Sequence, residues 1–232
     1  MELIIQGLTK AFQLLLRGDP EVLHITFLTL RVSGLATLIS LGLGVPLGLY
    51  LAVARFRGRE FLVGAVNTGM GLPPTVVGLW VSILLWRSGP LGRLGPMYTP
   101  SAIVIAQAVI AIPVVTGLSM AAVQQLNPKL RLQIMALGAS PIQFWWLILR
   151  EVRFGILAAV MAGLGSVISE VGASMAVGGN VRWYSRVLTT AIVLEVSKGN
   201  FDMALALSFV LIFLSYSITY ALTLAQQRRR RL

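Results

Sequence analysis

The sequence predicts an all-α integral-membrane protein with five transmembrane helices and a short amphipathic helix before them. Three observations predict it. Apolar residues make up 56% of the 232 residues and charged residues only 12%, against about 25% charged in a soluble domain. Mean hydropathy is +0.84. Five long apolar stretches recur: Gly34–Ala54, Phe61–Trp86, Ser101–Val123, Phe154–Val177 and Met203–Ala225. Each supplies the roughly 20 residues needed to cross about 30 Å of hydrocarbon. Their apolar runs are continuous, which excludes the alternating pattern of an outer-membrane barrel.

Taken in order, residues 1–17 place Ile4, Leu8, Ala11, Phe12 and Leu15 on one helical face. Glu2, Gln6, Thr9, Gln13 and Arg17 fall on the other. That pattern predicts an interfacial helix on the outer membrane surface. It is not a signal peptide: Glu2 stands where a basic residue belongs, and no small-residue cleavage site follows. In the first span, Ser40, Gly44 and Gly48 recur every four residues and permit close helix approach. The contact lies either within the chain or between subunits. Pro46, the Pro73-Pro74 pair and Pro113 sit near the centres of the first three spans. Each removes a helix hydrogen bond. They are either ordinary kinks or an irregular midplane zone where transporters place pathways and gates.

Between the third and fourth spans, residues 126–153 form a polar, bent segment. Asn127-Pro128 starts one short helix by capping, Gly138 ends it, and Ser140-Pro141 starts a second. Two helices joined at a glycine make a rigid knob suited to docking a soluble partner. The fourth span carries one ionisable residue, Glu170. Such a residue faces the protein interior or water, either in a gate or in a packing contact. A carboxylate is a poor direct ligand for an anion. The Gly178-Gly179 pair before Asn180 either exposes backbone N–H groups that favour anions or forms a plain turn. Leu188–Val196 is too short to span and reads as a short helix in the last outer loop.

Basic residues in the short loops set the orientation. Arg55, Arg57, Arg59, Lys129, Arg131, Arg150, Arg153 and Arg228–Arg231 fall on one side, beside only Glu60 and Glu151. That side is expected to be cytoplasmic, with the N-terminus outside and the C-terminus inside. The net charge of +11 therefore anchors the chain against anionic lipid and implies no nucleic-acid partner. The chain has no cysteine and one histidine, His24. No Walker A run, His-Glu-x-x-His or Gly-x-Ser-x-Gly occurs. The sequence therefore predicts no enzyme, no metal and no cofactor in this chain, and any ATP must be used elsewhere.

The knob resembles the cytoplasmic coupling loop of ABC-transporter importer permeases, whose pattern is Glu-Ala-Ala, three residues, Gly, nine residues, Ile-x-Leu-Pro. Gly138 and Ile148 match. Leu132-Gln133-Ile134 and Arg150-Glu151 depart from it. The run Gly71-Leu72-Pro73-Pro74-Thr75-Val76-Val77-Gly78, with Gly89-Pro90-Leu91-Gly92 downstream, is similar to molybdate- and tungstate-type permeases. Ser169-Glu170-Val171-Gly172 and Gly178-Gly179-Asn180 resemble the tungstate members. The resemblance implies a type I ABC importer permease fold in one transmembrane domain over residues 1–232. It also implies a multi-pass position in a prokaryotic plasma membrane and a cargo oxyanion: tungstate first, then molybdate, then sulfate. The implied partners are a second copy of the permease, a cytoplasmic ABC ATPase dimer using ATP and Mg, and an extracytoplasmic oxyanion-binding protein. Pro128, Arg131, Gly138, Ala139, Ser140 and Pro141 would contact the ATPase. Pro73, Pro74, Thr75, Pro113, Ser169, Glu170, Gly172, Gly178, Gly179 and Asn180 would form the pathway or gate. A self-sufficient secondary transporter or channel is the competing class, but it calls for inverted repeats or several buried charges.

Overall fold

The computed structural model describes the backbone of residues 2–228. Met1 and residues 229–232, including Arg229, Arg230 and Arg231 of the basic tail, lie outside the described residues. So do the side chains of Glu2, Leu3, Leu15, Leu94, Pro128, Ala225 and Arg228. Among the described residues the chain is helical, with no strand. In order come α1 (Glu2–Arg17), α2 (Pro20–Val53), α3 (Arg59–Met70), α4 (Pro74–Leu85), α5 (Pro100–Gln124), α6 (Pro128–Ala136), α7 (Pro141–Glu151), α8 (Arg153–Ile168), α9 (Gly172–Gly178), α10 (Leu188–Ser197) and α11 (Phe201–Arg228).

Three helices are long and apolar enough to cross a membrane on their own: α2, α5 and α11. The other two expected spans are broken. α3 and α4 meet at 107°, and α8 and α9 at 58°. Five spans result when each bent pair counts as one, so the expected count stands while the continuity of Phe61–Trp86 and Phe154–Val177 does not. The two breaks have different causes. At the first, Pro73 and Pro74 remove two successive N–H donors, and Leu72 is pushed out of the helical region by the proline after it. At the second there is no proline. There Ser169 ends α8, and Glu170 caps α9 with its side chain. Pro46 and Pro113 stay inside continuous helices, because a single lost hydrogen bond bends a helix without ending it.

The first span starts earlier than its apolar run. Asp19 Oδ1 accepts the N–H groups of Glu21 and Val22, both at 3.0 Å, and Pro20 takes the first helical position. α2 therefore extends about 20 Å beyond Gly34. Its packing on α5 forms the centre of the protein. A Cβ on Gly48 would stand 2.5 Å from the Thr116 carbonyl oxygen, and one on Gly44 would stand 3.0 Å from Val115. Ser40 Oγ approaches the Ala108 carbonyl at 3.4 Å. The small-residue stripe is thus a contact within the chain.

α1 runs antiparallel to the first half of α11. Gly7 packs on Leu205, and Lys10 pairs with Asp202. The face expected to be apolar is divided: Ala11 is buried, while Ile4, Leu8 and Phe12 stay exposed. Gly89 and Gly92 permit a tight return after α4. A Cβ at either position would fall within 2.3 Å of a backbone oxygen of Ile83 or Trp86.

Replacing Gly48 with Leu should destabilise the fold by about 1–3 kcal/mol through overpacking. Gly34, with nothing within 4 Å, should gain up to about 1 kcal/mol on change to Ala. Thermal melts of the two variants in detergent measure the contrast, and equal melts would remove the α2–α5 contact as the cause.

Candidate functional site

The two breaks open onto one cavity of about 440 Å³. Pro73, Pro74, Ser169 and Glu170 line it, with Gly69–Leu72 from the first break, Ile110 and Val114 from α5, and Ser166 from α8. Discontinuous helices are tolerated at membrane depth only where protein or a wet cavity surrounds the freed backbone.

Glu170 is 6% exposed. Its Oε1 accepts the Ala173 N–H at 2.8 Å and so caps the first turn of α9. Its carbonyl accepts the Thr189 hydroxyl at 2.8 Å, which ties the break to α10. Glu170 therefore both faces the cavity and holds two elements together. The two half-helices α4 and α9 lie side by side. A Cβ on Gly172 would stand 2.7 Å from Thr75 Cγ2, and one on Gly78 would stand 2.7 Å from Ala173 Cα. The Leu-Pro-Pro-Thr run and the Ser-Glu-Val-Gly run, far apart in sequence, thus meet through Thr75 and Gly172. Pro113 sits against Gly69, where a Cβ would come within 2.9 Å. It braces the first break without lining the cavity.

Gly178, Gly179 and Asn180 do not join this group. They stand at the far end of α9 and make its closing turn. Gly179, at φ +65°, donates its N–H to Met175 O at 3.1 Å. Asn180 Nδ2 donates to Thr190 O at 3.3 Å, and the Tyr98 ring packs against Gly179. The Gly179 N–H is thereby used within the chain, which favours the plain-turn reading over an anion nest. Arg182 and Arg186 both reach Glu21, at 3.1 Å (Arg182 Nε) and 3.0 Å (Arg186 Nη1). The Glu21 carboxylate, by hydrogen bond and charge, raises the Arg182 guanidinium pKa still further. These arginines stitch the loop between α9 and α10 to the start of α2. Sequence reading noted Arg182 and Arg186, as groups that attract an oxyanion or its carrier or as solvated anchors, but missed their pairing with Glu21, whose one signal was an acid in a first helical turn.

At the other end, α6 and α7 form the expected knob. Asn127 Oδ1 accepts the Lys129 N–H at 2.9 Å, with Pro128 first in α6. Gly138 turns the chain at φ +75°. Ser140 and Gln143 make a capping box, with Pro141 first in α7. Arg131 Nη2 donates to the Val123 carbonyl at 3.2 Å, tying α6 to the end of α5. Ile134 and Ile148 are buried with Leu49 and Val123, and Ala139 packs against that cluster. Leu137 and Ile142 on the tip are 87% and 84% exposed. The knob is thus fixed at its base and carries exposed apolar side chains at its tip. The sequence placed this knob but did not single out Leu137 or Ile142.

Changing Glu170 to Ala should lower stability by about 1 kcal/mol through the lost cap. Glu170→Gln, whose carbonyl oxygen can still accept from Ala173, should cost less than half as much. Melting temperatures of both variants check the order, and identical losses would reduce Glu170 to a carboxylate with no capping role.

With this geometry in view, residues 44–231 match a family described as binding-protein-dependent transport system inner membrane component. The chain is 38% identical to the tungstate uptake system permease protein TupB of Peptoclostridium acidaminophilum, over 94% of this chain and 96% of that one. It is 32% identical to the TupB of Campylobacter jejuni, over 95% and 92%. Among solved structures, a bacterial ABC transporter involved in import of the acidic polysaccharide alginate superposes with a TM-score of 0.76. That match is 19% identical and covers 94% of this chain and 83% of the other.

Proposed function

We propose that this chain, which belongs to the family of binding-protein-dependent transport system inner membrane components, is the membrane permease that carries tungstate in an ATP-driven importer. The observation that carries the reading is similarity to tungstate permeases over more than nine-tenths of the chain, in a chain whose Leu72–Thr75 and Ser169–Gly172 runs meet beside one cavity. The chain itself is not an enzyme, and ATP hydrolysis belongs to a separate ATPase chain.

In this reading two copies of the permease form the pathway between them. The knob at Gly138 faces the cytoplasm, with the N-terminus outside and the C-terminus inside. Arg131, Ala139, Ser140 and the helix starts at Pro128 and Pro141 set the shape of the knob. Leu137 and Ile142 enter the surface of an ABC ATPase dimer that uses ATP and Mg. An outer oxyanion-binding protein delivers the anion. Nucleotide binding favours one of two permease conformations and hydrolysis the other. The broken pairs α3–α4 and α8–α9 are the moving parts, since a bent pair changes angle more readily than a continuous helix. Glu170 acts there as a gate anchor: it holds α9 to α10 through its side chain and carbonyl, and a carboxyl is a poor resting place for an anion.

Elemental mass spectrometry of cells with and without this gene, at nanomolar supply, tests the cargo. Selective loss of tungsten is expected. Loss of molybdenum alone would transfer the assignment to molybdate. Gly138→Val tests the knob. A β-branched residue at φ +75° is strained by about 1–3 kcal/mol. The variant should insert normally yet lose about tenfold in ATP-driven uptake, the scale of a typical coupling free energy. Unchanged uptake would remove the knob from the mechanism.

A further inference from the structure

We propose that the groove between the end of α2 and α7 binds an anionic phospholipid, with an acyl chain on its apolar floor and the phosphate held by arginines at its rim. The groove holds about 490 Å³ and is lined by Pro46, Leu49, Tyr50, Trp145, Trp146 and Leu149 among others. Its floor is apolar and aromatic. Leu43, Leu47 and Tyr50 are all exposed on α2 and share one helical face by their spacing. They continue the floor along the span, so a chain lying in the groove runs on into hydrocarbon.

The rim is cationic. The Arg150 guanidinium stands 5.3 Å from the Trp146 ring centre, within cation–π range. Tyr50 stacks on Phe56 at 5.8 Å, so the Arg55–Arg57 turn follows directly on the groove's end, where Arg55 lines a neighbouring pocket with Arg59 and Glu60. Arg55, Arg57 and Arg150 are exposed and make no ion pair among the described residues. An apolar trough with uncompensated arginines at one end has the charge and polarity pattern of a lipid with an anionic headgroup. Tryptophan and tyrosine at that boundary are the residues that prefer the membrane–water interface. α7 is half of the knob, so a lipid wedged between α2 and α7 would brace the docking surface. That consequence rests on the coupling reading above, whereas the site itself does not.

The experiment uses the assembled transporter in nanodiscs. Trp80→Phe, Trp86→Phe and Trp183→Phe leave Trp145 and Trp146 as the emitters. Brominated phosphatidylglycerol is compared with brominated phosphatidylcholine at equal mole fraction. The anionic lipid should quench about twofold more strongly, in keeping with the pull of anionic lipid on clustered arginines. Arg150→Gln should bring the two lipids toward parity, while Arg150→Lys should keep the difference. Lipid mass spectrometry of the purified chain against Arg150→Gln gives the same comparison with all tryptophans in place, and should show less phosphatidylglycerol retained by the variant. Equal quenching in the parent would overturn the site. So would an excess that survives combined Arg55→Gln, Arg57→Gln and Arg150→Gln. Every readout is lipid contact, so it stands apart from whether the cargo is tungstate.

Discussion

Backbone hydrogen bonding in hydrocarbon is the constraint on which the rest of this structure depends. A peptide group in the bilayer core finds no water, so every interruption of a helix must be satisfied by protein or by an enclosed cavity. This chain interrupts two of its five spans, and both interruptions open onto the same place. At the first, proline removes the donors that would otherwise be orphaned. At the second, the Glu170 carboxylate takes the Ala173 N–H, and Thr189 donates to the Glu170 carbonyl. The continuous helices α2 and α5 make this possible. Their close packing through Gly44 and Gly48 gives a stiff wall against which the broken halves rest.

That arrangement divides the molecule into a fixed part and a part able to move. Glycine on one side and backbone or proline on the other leave little room at Gly48–Thr116, Gly69–Pro113 and Gly78–Ala173. The knob is equally fixed at its base, through Ile134, Ile148 and the Arg131 bond to Val123 O. In the proposed mechanism a push on its apolar tip is carried as a rigid displacement into α5 and α8, and the broken pairs answer by changing their bend while the tight α3–α5 and α4–α9 contacts are kept. Packed interfaces of this kind have discrete arrangements rather than continuous ones, as the proposed two-state coupling to nucleotide requires.

Much of this was legible in the sequence where the signal is local. The caps at Asn127 and Ser140, the turn at Gly138 and the five apolar runs are short-range patterns with a direct physical cause, and the structure has them. The Pro73-Pro74 break was visible for the same reason. The break at Glu170 was not, because a carboxylate capping a half-helix looks the same in sequence as one that simply packs. Pro46 and Pro113 were open between ordinary kinks and an irregular zone, and they are kinks at most, inside continuous helices, since a lone proline in a well-packed helix only bends it. The role of Gly44 and Gly48 was open between a contact within the chain and one between subunits. It was decided by the side chains opposite, which no single-chain pattern reveals. The ties of Glu21 to Arg182 and Arg186, and of α1 to α11, join residues too distant in sequence for any periodicity to register.

The absence of cysteine allows a direct test of whether the cavity between the broken spans belongs to a moving pathway. A single cysteine replacing Ser169 at the cavity wall gives labelling with no background from this chain. Its reaction rate with a membrane-impermeant thiol reagent is the measurement, made in the assembled transporter without nucleotide and with ATP bound but not hydrolysed. The account predicts a change of about tenfold or more between the two states, the size expected when ligand binding shifts a two-state equilibrium. A rate that is the same in both states, with full ATP-driven uptake in the variant, would contradict it and place the pathway elsewhere in the protein.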